Sequence, residues 1–416
     1  MARPLIQILG PGLLFAATAV GVSHLVQSTR AGADYGLALW AVIVLACAFK
    51  YPAFLFGNIY AASTGDSLID NYRRQGLWVV LLAMVAVIGS AFIGIAALSL
   101  VAAGVVKTVF NLPLDARLVA YSLLVLIGII LIAGSYRWFE TLIKMLVATF
   151  AVSTVIATVL ALPSMQWEMT PVWPETVDLR MVLFIVALAG WMPAPLEGSV
   201  MQSLWTCAKA NSDGRAPTLP ESRLDYNIGF TCTLVLALCF MLLGSSIMHS
   251  SGIKFEASPA GFAAQIISLF TTTIGSWSRP IIGAAALAVI LSTLVTVIDG
   301  YPRAFAATIE VLRGGRAAEV QTSRNAYIFA IITLCAGATL ILAFLMTSFK
   351  AFIDVSTSVS FCVAPLLAYF NHRAITSKEV PAAVRPTGWL YWLSITGITT
   401  TGGFALFYLY LLVVVL

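Results

Sequence analysis

The stretch Gly21-Val22-Ser23-His24 interrupts the first hydrophobic segment of the chain. An apolar run over 13–20 precedes it, and a second segment over 25–33 follows it. A broken helix exposes backbone N–H and C=O groups that hydrocarbon cannot satisfy. In secondary transporters such breaks mark the place where the substrate binds. The stretch therefore indicates a binding site half-way across a membrane.

The composition is typical of an integral membrane protein. Of the 416 residues, 60% are hydrophobic and only 10% are charged, whereas soluble domains carry about 25% charged residues. We expect an all-α fold in a single transmembrane domain over residues 1–416. A membrane helix needs about 20 apolar residues, which predicts eleven spans at 10–33, 36–62, 77–106, 117–135, 141–162, 181–208, 226–250, 281–307, 325–346, 350–371 and 387–415.

The sixth predicted span is interrupted as well, by the stretch Ala189-Gly190-Trp191-Met192-Pro193-Ala194-Pro195-Leu196-Glu197-Gly198. Its two prolines remove backbone donors and clash with the preceding turn. Breaks in the first and sixth spans are typical of two inverted five-helix repeats with a site at the bilayer midplane. We expect one repeat over about 8–162, the other over about 180–372, and an extra helix over about 387–415.

The positions of Lys and Arg predict the orientation. Most of the 23 basic residues fall in loops on the same side as the N-terminus, and cytoplasmic loops carry such an excess. We therefore expect a multi-pass protein of the cell (inner) membrane with its N-terminus in the cytoplasm and its C-terminus outside. The net charge of +5 is explained by this loop pattern and requires no nucleic acid.

The sequence contains no pattern that indicates a cofactor or an enzyme. The six cysteines are scattered, without a C-x-x-C pair or a Cys/His cluster, so we expect neither a disulfide framework nor a zinc site. We find no nucleophile–base arrangement, and we predict no enzymatic activity and no cofactor. A membrane receptor or sensor remains a further alternative, although such a protein would be expected to carry a soluble domain.

Several motifs resemble the NRAMP family of divalent metal transporters, which have a LeuT-type fold. The first segment begins Gly10-Pro11-Gly12 and ends Ala31-Gly32-Ala33-Asp34-Tyr35-Gly36, like the family's GPG start and AGA-x-YG end at the same spacing. Ala62-Ser63-Thr64-Gly65-Asp66 and Ser222-Arg223-Leu224-Asp225 also resemble family segments. The resemblance covers most of the chain and implies eleven helices and transport of an ion by alternating access.

The chain departs from this family where the metal should bind. The family motif Asp-Pro-Gly-Asn uses its Asp and Asn as metal ligands, and these positions are Gly21 and His24 here. In the sixth helix the Met192 thioether and the Ala189 carbonyl remain, but Ala194 replaces the family's His. The resemblance therefore implies a divergent member with an altered metal site.

Other positions linked to the family's chemistry also differ. The third-helix carboxylates that help move protons align with Ser90 and Ile93, and the tenth-helix Gln falls close to Thr357. With the carboxylates absent, proton coupling, sodium coupling and uncoupled transport all remain open. The expected partners are a small inorganic ion, a possible coupling proton or sodium ion, and the lipid bilayer.

The altered site favours a small anion such as bicarbonate or a small carboxylate. The second halves of broken helices direct N–H groups and about half a positive charge toward the site. Ser23 and His24 add donors. The predicted substrate-binding residues are Gly21, Ser23, His24, Ala189, Met192, Ala194, Glu197 and Thr357.

The alternative is proton-coupled uptake of a divalent metal ion through a rebuilt site. Met192, His24 and Glu197 would then be the ligands, since Glu197 is the acidic residue near the break. Lys50, Asp299 and Arg303 are candidates for coupling or gating because they are ionisable residues within predicted spans. An ion pair between Lys50 and Glu197 is the alternative for Lys50, and the i, i+4 spacing of Asp299 and Arg303 is typical of a local salt bridge.

Overall fold

The computed structural model describes residues 8, 10–133, 137–165, 167, 172–174, 176–256, 258–317, 324–346 and 348–414, although not the side chains of 137–147. Within these ranges the chain is helical, with no strand. The helices are α1 (Pro11–Ala19), α2 (Ser23–Tyr35), α3 (Trp40–Thr64), α4 (Leu68–Gln75), α5 (Leu77–Phe110), α6 (Ala116–Ala133), α7 (Arg137–Ala161), α8 (Leu179–Gly190), α9 (Gly198–Asp213), α10 (Leu219–His249), α11 (Pro259–Ile274), α12 (Arg279–Leu312), α13 (Arg324–Phe344), α14 (Phe349–Ile375) and α15 (Gly388–Val414).

The helices have the length and composition of membrane spans. Among the described residues, eight are long and apolar enough to cross a bilayer, or nine if the bent pair α1 and α2 is one span. Helix α7 and the pair α8 and α9 occupy the positions of the fifth and sixth predicted spans. The outward faces carry large apolar side chains, such as Val85, Leu406 and Val413, which are 65%, 70% and 84% exposed. Such a surface is suited to lipid, and the count of eleven spans stays a prediction.

The first span is broken where the sequence predicts it. Helix α1 ends at Ala19, α2 begins at Ser23, and the two axes differ by 47°. Gly21 lies against α12, since a Cβ there would be 3.1 Å from Thr293 Cγ2. The Ser23 hydroxyl is 2.9 Å from the Ala19 carbonyl oxygen, which accepts from the Gly21 N–H at 2.8 Å, so the end of α1 is closed by a turn at the break.

The second break separates α8 from α9. Helix α8 ends at Gly190, and a cradle of turns over 191–197 leads to α9. Pro193 and Pro195 cannot donate hydrogen bonds, so a regular helix cannot continue through them. Gly190 has no side chain because a Cβ there would lie 1.9 Å from the Thr357 carbonyl oxygen of α14. This close approach fixes the end of α8 against α14.

The first span is fixed to α10 by glycines. A Cβ on Gly12 would lie 2.1 Å from the Asp225 carbonyl oxygen, and one on Gly229 would lie 2.1 Å from the Gly12 carbonyl oxygen. Gly32 and Gly244 make the equivalent contacts at the other end, where α2 meets α10. Small residues allow such close backbone approach between membrane helices. Both halves of the broken span are therefore held against one continuous helix.

Candidate functional site

A cavity of about 60 Å³ lies between the two breaks. Its walls come from α1 and α2, the middle of α5, the break between α8 and α9, and α12. The lining residues are Phe15, Thr18, Ala19, Val22, Ser23, Ser90, Gly94, Leu98, Trp191, Ala194, Pro195, Glu197, Gly198, Met201, Trp205, Thr293, Val297 and Tyr301. The wall is mostly apolar and aromatic, with a few hydroxyl groups and one carboxyl group, as in many small-ligand sites.

Ser23 lies on the cavity wall, whereas His24 is directed away from it into the protein. The ring of His24 is fully buried, with Nε2 2.9 Å from the Thr233 carbonyl oxygen of α10 and Nδ1 2.8 Å from the Ser23 hydroxyl. Because a carbonyl oxygen can only accept, Nε2 must carry the proton. His24 therefore connects the break in the first span to α10, and neither ring nitrogen is free for a ligand.

Lys50 is buried in α3 and binds the carbonyl end of α8. Its Nζ donates to the carbonyl oxygens of Ala189 and Gly190, both at 2.7 Å, and approaches that of Ala194 at 3.5 Å. These contacts replace the ion pair with Glu197 that the sequence suggested. A cation at the C-terminal end of a helix is favourable, so a fixed ammonium group satisfies the carbonyls that the break exposes.

Glu197 lies at the start of α9 and faces the cavity. The residue is 1% exposed. One carboxyl oxygen, Oε1, is 3.5 Å from the Ser360 hydroxyl, while Oε2 has no hydrogen-bond partner among the described residues. Within the described part of the chain, the hydroxyl of Ser90, which lines the same cavity, also lacks a partner. Two unsatisfied polar groups on one cavity wall indicate a place prepared for a ligand or a proton.

The other predicted site residues divide into two groups. Ala194 lies on the cavity wall with Ser23 and Glu197, and Gly21 lies against Thr293, which is also on the wall. Ala189, Met192 and Thr357 are buried but outside that wall. The Ala189 carbonyl already accepts from Lys50. The three ligands expected for a rebuilt metal site, Met192, His24 and Glu197, therefore do not line one cavity together.

Asp299 and Arg303 form a local pair on another face of α12. Their side chains make two hydrogen bonds at 2.9 Å, and the Tyr327 hydroxyl of α13 donates to Asp299. Tyr301, which lies between them in sequence, and Val297, which precedes them, face the cavity instead. The structure thus places the pair at the contact between α12 and α13.

The sequence did not identify several residues of the wall. These are Trp191, Trp205, Met201, Thr293 and Tyr301. Trp191 lies within the second break, where a large aromatic next to glycine and proline was the available signal. The others occupy regular helices, and apolar residues in a membrane helix look the same whether they face lipid, protein or a cavity.

A cluster of ion pairs closes the space on the side of Tyr35. Arg30 in α2 is 2.6 Å from Asp354 in α14, and it lies over the ring of Phe184 at 4.3 Å. Gln27 donates to Asp354 at 3.2 Å and to Thr357 at 3.3 Å. The cavity instead extends along the halves of α1, α9 and α12 that lead toward the side of Gly10.

Among the described residues, no group of three or more His, Cys, Asp or Glu side chains is arranged to hold a metal ion. Two broken helices around a small central cavity, in a bundle of apolar spans, define a secondary transporter of the LeuT type. Solved structures support this fold. The chain is similar to the manganese transporter of Eremococcus coleocola in a point-mutant crystal structure, with 13% identity, a TM-score of 0.72, and coverage of 97% of this chain and 86% of that one.

Two further solved structures share the fold. One is MhsT in complex with L-phenylalanine, with 13% identity, a TM-score of 0.61 and 98% coverage of both chains. The other is a nucleobase-cation-symport-1 family transporter with bromovinylhydantoin bound, with 14% identity, a TM-score of 0.54, and coverage of 97% of this chain and 93% of that one.

The chain belongs to the Nramp family. The model of the "Natural resistance-associated macrophage protein-like" family matches residues 12–411. An uncharacterized protein of Pasteurella multocida (strain Pm70) is 33% identical over 414 residues, covering 96% of this chain and 91% of that protein. This chain is therefore a multi-pass membrane protein of a transporter family, which confirms the family and the LeuT-type fold expected from the motifs.

Proposed function

We propose that this chain carries a small monovalent anion, of the bicarbonate or small-carboxylate class, across the cell (inner) membrane by alternating access. Its N-terminus would lie in the cytoplasm and its C-terminus outside. The two expected five-helix repeats would supply the moving parts around the central cavity.

The ammonium group of Lys50 is the observation that carries this proposal. It donates to the Ala189 and Gly190 carbonyl oxygens, and the first of these is an oxygen that the family resemblance assigns to the metal. A divalent cation at that oxygen would lie close to the ammonium charge, and two like charges repel each other strongly in a low-dielectric surrounding. The same charge attracts an anion.

The geometry of the breaks supports the same substrate class. Helix α2 and helix α9 both begin next to the cavity, and the positive end of a helix dipole favours an anion. The first-helix position that is Asp in the family is Gly21, so no carboxylate opposes an anion from that side.

A divalent metal ion is the second candidate. The unpartnered Oε2 of Glu197 and the similarity to a manganese transporter favour it. One carboxylate with hydroxyl neighbours is a sparse ligand set, because divalent metal sites commonly gather several charged or imidazole ligands.

A binding titration separates these candidates. Trp191 and Trp205 line the cavity, so their intrinsic fluorescence reports its occupancy in purified protein. We expect saturable quenching with bicarbonate, formate or nitrate, which has the planar shape of bicarbonate, and none with Mn²⁺. Saturable Mn²⁺ binding that disappears in Glu197→Gln, without anion binding, would sink the proposal.

Lys50→Met tests the contribution of the ammonium group to anion binding. We expect it to weaken anion binding at least about tenfold, because the favourable charge is lost from a low-dielectric surrounding. Lys254→Met is the matched control, since Lys254 is exposed in the loop before α11. Equal anion affinity in a folded Lys50→Met protein and in the control would contradict the assigned role of Lys50.

A further inference from the structure

We propose that Glu197 and Ser90 form the binding place of a coupling proton, which must be filled before the anion enters the cavity. This inference rests on the proposed anion transport and adds the coupling ion and its residue. The place differs from the third-helix carboxylate positions, because Ser90 and Ile93 stand there and the carboxyl group comes from α9 instead.

The carboxyl group of Glu197 is enclosed and incompletely satisfied. In the part of the chain that the structure describes, Oε2 has no partner, and Oε1 has one long contact of 3.5 Å with the Ser360 hydroxyl. Ser360 in turn accepts a hydrogen bond from the Trp191 indole at 2.8 Å. The Ser90 hydroxyl is also unpartnered and lies on the same cavity wall. The site thus offers one acceptor and one reorientable hydroxyl on the wall of the cavity.

No cation touches this carboxyl group within the part of the chain that the structure describes. From α3 the charged group is Lys50, whose hydrogen bonds go to backbone carbonyls. From α12 the titratable group is Tyr301. The groups from α5 and α14, Ser90 and Ser360, are uncharged. An isolated ionised carboxylate is costly in such surroundings, so a proton or a cation must accompany Glu197.

A proton suits this place better than a metal ion. Hard cations such as Mg²⁺ and Ca²⁺ take about six or more oxygen ligands. Among the described residues, the side-chain oxygens that face Glu197 are its own two and those of Ser90, Ser360 and Tyr301. A proton needs one acceptor, and the unpartnered Oε2 supplies it.

Coupling follows from the shared cavity. A protonated carboxyl group donates a hydrogen bond to an anion, whereas an ionised one repels it. Proton and anion therefore bind to the same conformation with positive coupling, which is reciprocal by thermodynamic linkage. A proton and a monovalent anion together have no net charge, so their joint transport moves no net charge across the membrane.

The test uses the full chain in liposomes that trap a pH-sensitive dye, with nitrate as the transported anion, because nitrate stays ionised and does not consume the proton that enters with it. Protein-free vesicles give the background. We expect anion entry to acidify the interior by one proton per anion, and an inward proton gradient to accelerate uptake. We expect the anion exchange that Glu197→Gln retains to be independent of the proton gradient and to bring no acidification, because the amide keeps a neutral N–H donor but cannot bind the coupling proton.

Glu256→Gln is the matched control, since it makes the same change at an exposed position and should behave as wild type. Proton-driven uptake that persists in Glu197→Gln, or wild-type uptake driven by a sodium gradient, would overturn the inference while anion transport stands. Wild-type protein that neither binds nor moves an anion would instead remove the proposed function, and this inference with it.

A chemical label replaces the variant if Glu197→Gln does not fold. Hydrophobic carbodiimides react with protonated, buried carboxyl groups. Modification of wild-type protein at Glu197 that the anion slows would support the proton site. Modification elsewhere with none at Glu197 would contradict it.

Discussion

His24 shows how a residue at the predicted site can act without touching the substrate. The sequence predicted His24 as a substrate-binding residue and, in the alternative, as a metal ligand. In the structure both ring nitrogens make hydrogen bonds to the protein, to Ser23 and to the Thr233 carbonyl. The residue that replaces the family's Asn thus holds the break against α10.

A substitution at His24 separates the two roles. We expect His24→Ala to lower the free energy of unfolding by about 2–4 kcal/mol, because it opens a cavity and leaves the Thr233 carbonyl unsatisfied. His24→Gln, which keeps a donor, should recover part of the loss. Thermal unfolding in detergent measures both. Unchanged stability with lost anion binding would show that His24 is a ligand after all.

Ser23, Lys50 and Glu197 mark how far the residues of the site can be predicted. Ser23 and Glu197 were predicted as site residues because a polar group inside a broken membrane helix is costly unless it has a function. Both line the cavity. The partners of Lys50 were not predictable. Its carbonyl acceptors lie about 140 positions away along the chain, and backbone oxygens leave no signature in the side-chain sequence.

At the scale of elements, the motifs that resemble the family hold helices together or end them. Gly10 and Gly12 donate their N–H groups to the Asp225 carboxylate at 2.9 and 2.7 Å, so the GPG start and the segment ending in Asp225 meet at the N-terminus of α1. Gly65, with φ of +73°, ends α3 in a left-handed conformation. The breaks and the helix ends could be predicted from glycine and proline, because these residues restrict or free the backbone at their own positions.

Glycine contacts between α2 and α10 give a prediction for the broken span. A Cβ on Gly32 would lie 2.0 Å from the Met241 carbonyl oxygen, so we expect Gly32→Ala to cost about 1–3 kcal/mol by forcing the backbones apart. Gly89→Ala is the control, because nothing lies within 4 Å of its Cβ position. Thermal unfolding compares them, and equal stability would mean that α2 is not tightly seated.

Two charged clusters close the molecule at its ends. Arg30 pairs with Asp354 on the side of Tyr35. On the other side, Asp66 after α3 accepts from Arg74 of α4 and from Arg316 after α12. Arg74 also pairs with Glu379, between α14 and α15, at 2.9 Å. Loops that are distant in sequence are thus tied together around the bundle, which a single sequence could not reveal.

The Asp66 cluster predicts a pH dependence of stability. Burial raises the pKa of Asp66, but hydrogen bonds from Arg316 and Arg74 outweigh it, and the net pKa is lowered. A lowered folded-state pKa gives stability that is present above the unfolded value of about 3.9 and is lost as the pH falls through the folded value. Asp66→Asn should therefore destabilise the protein at neutral pH, with a difference that shrinks below about pH 4. Thermal unfolding across this range checks it, and a constant difference would contradict it.

Whole-molecule transport tests the central claim, that an Nramp-family bundle with a fixed ammonium group at its break carries an anion. Wild-type protein and Lys50→Met are placed in the same liposomes, and the uptake of labelled bicarbonate and of radioactive manganese is followed in parallel, with protein-free vesicles subtracted. The account predicts saturable anion uptake by wild type that falls in Lys50→Met, and no saturable uptake of manganese. Saturable manganese uptake by wild type, with no anion uptake above background, would contradict it.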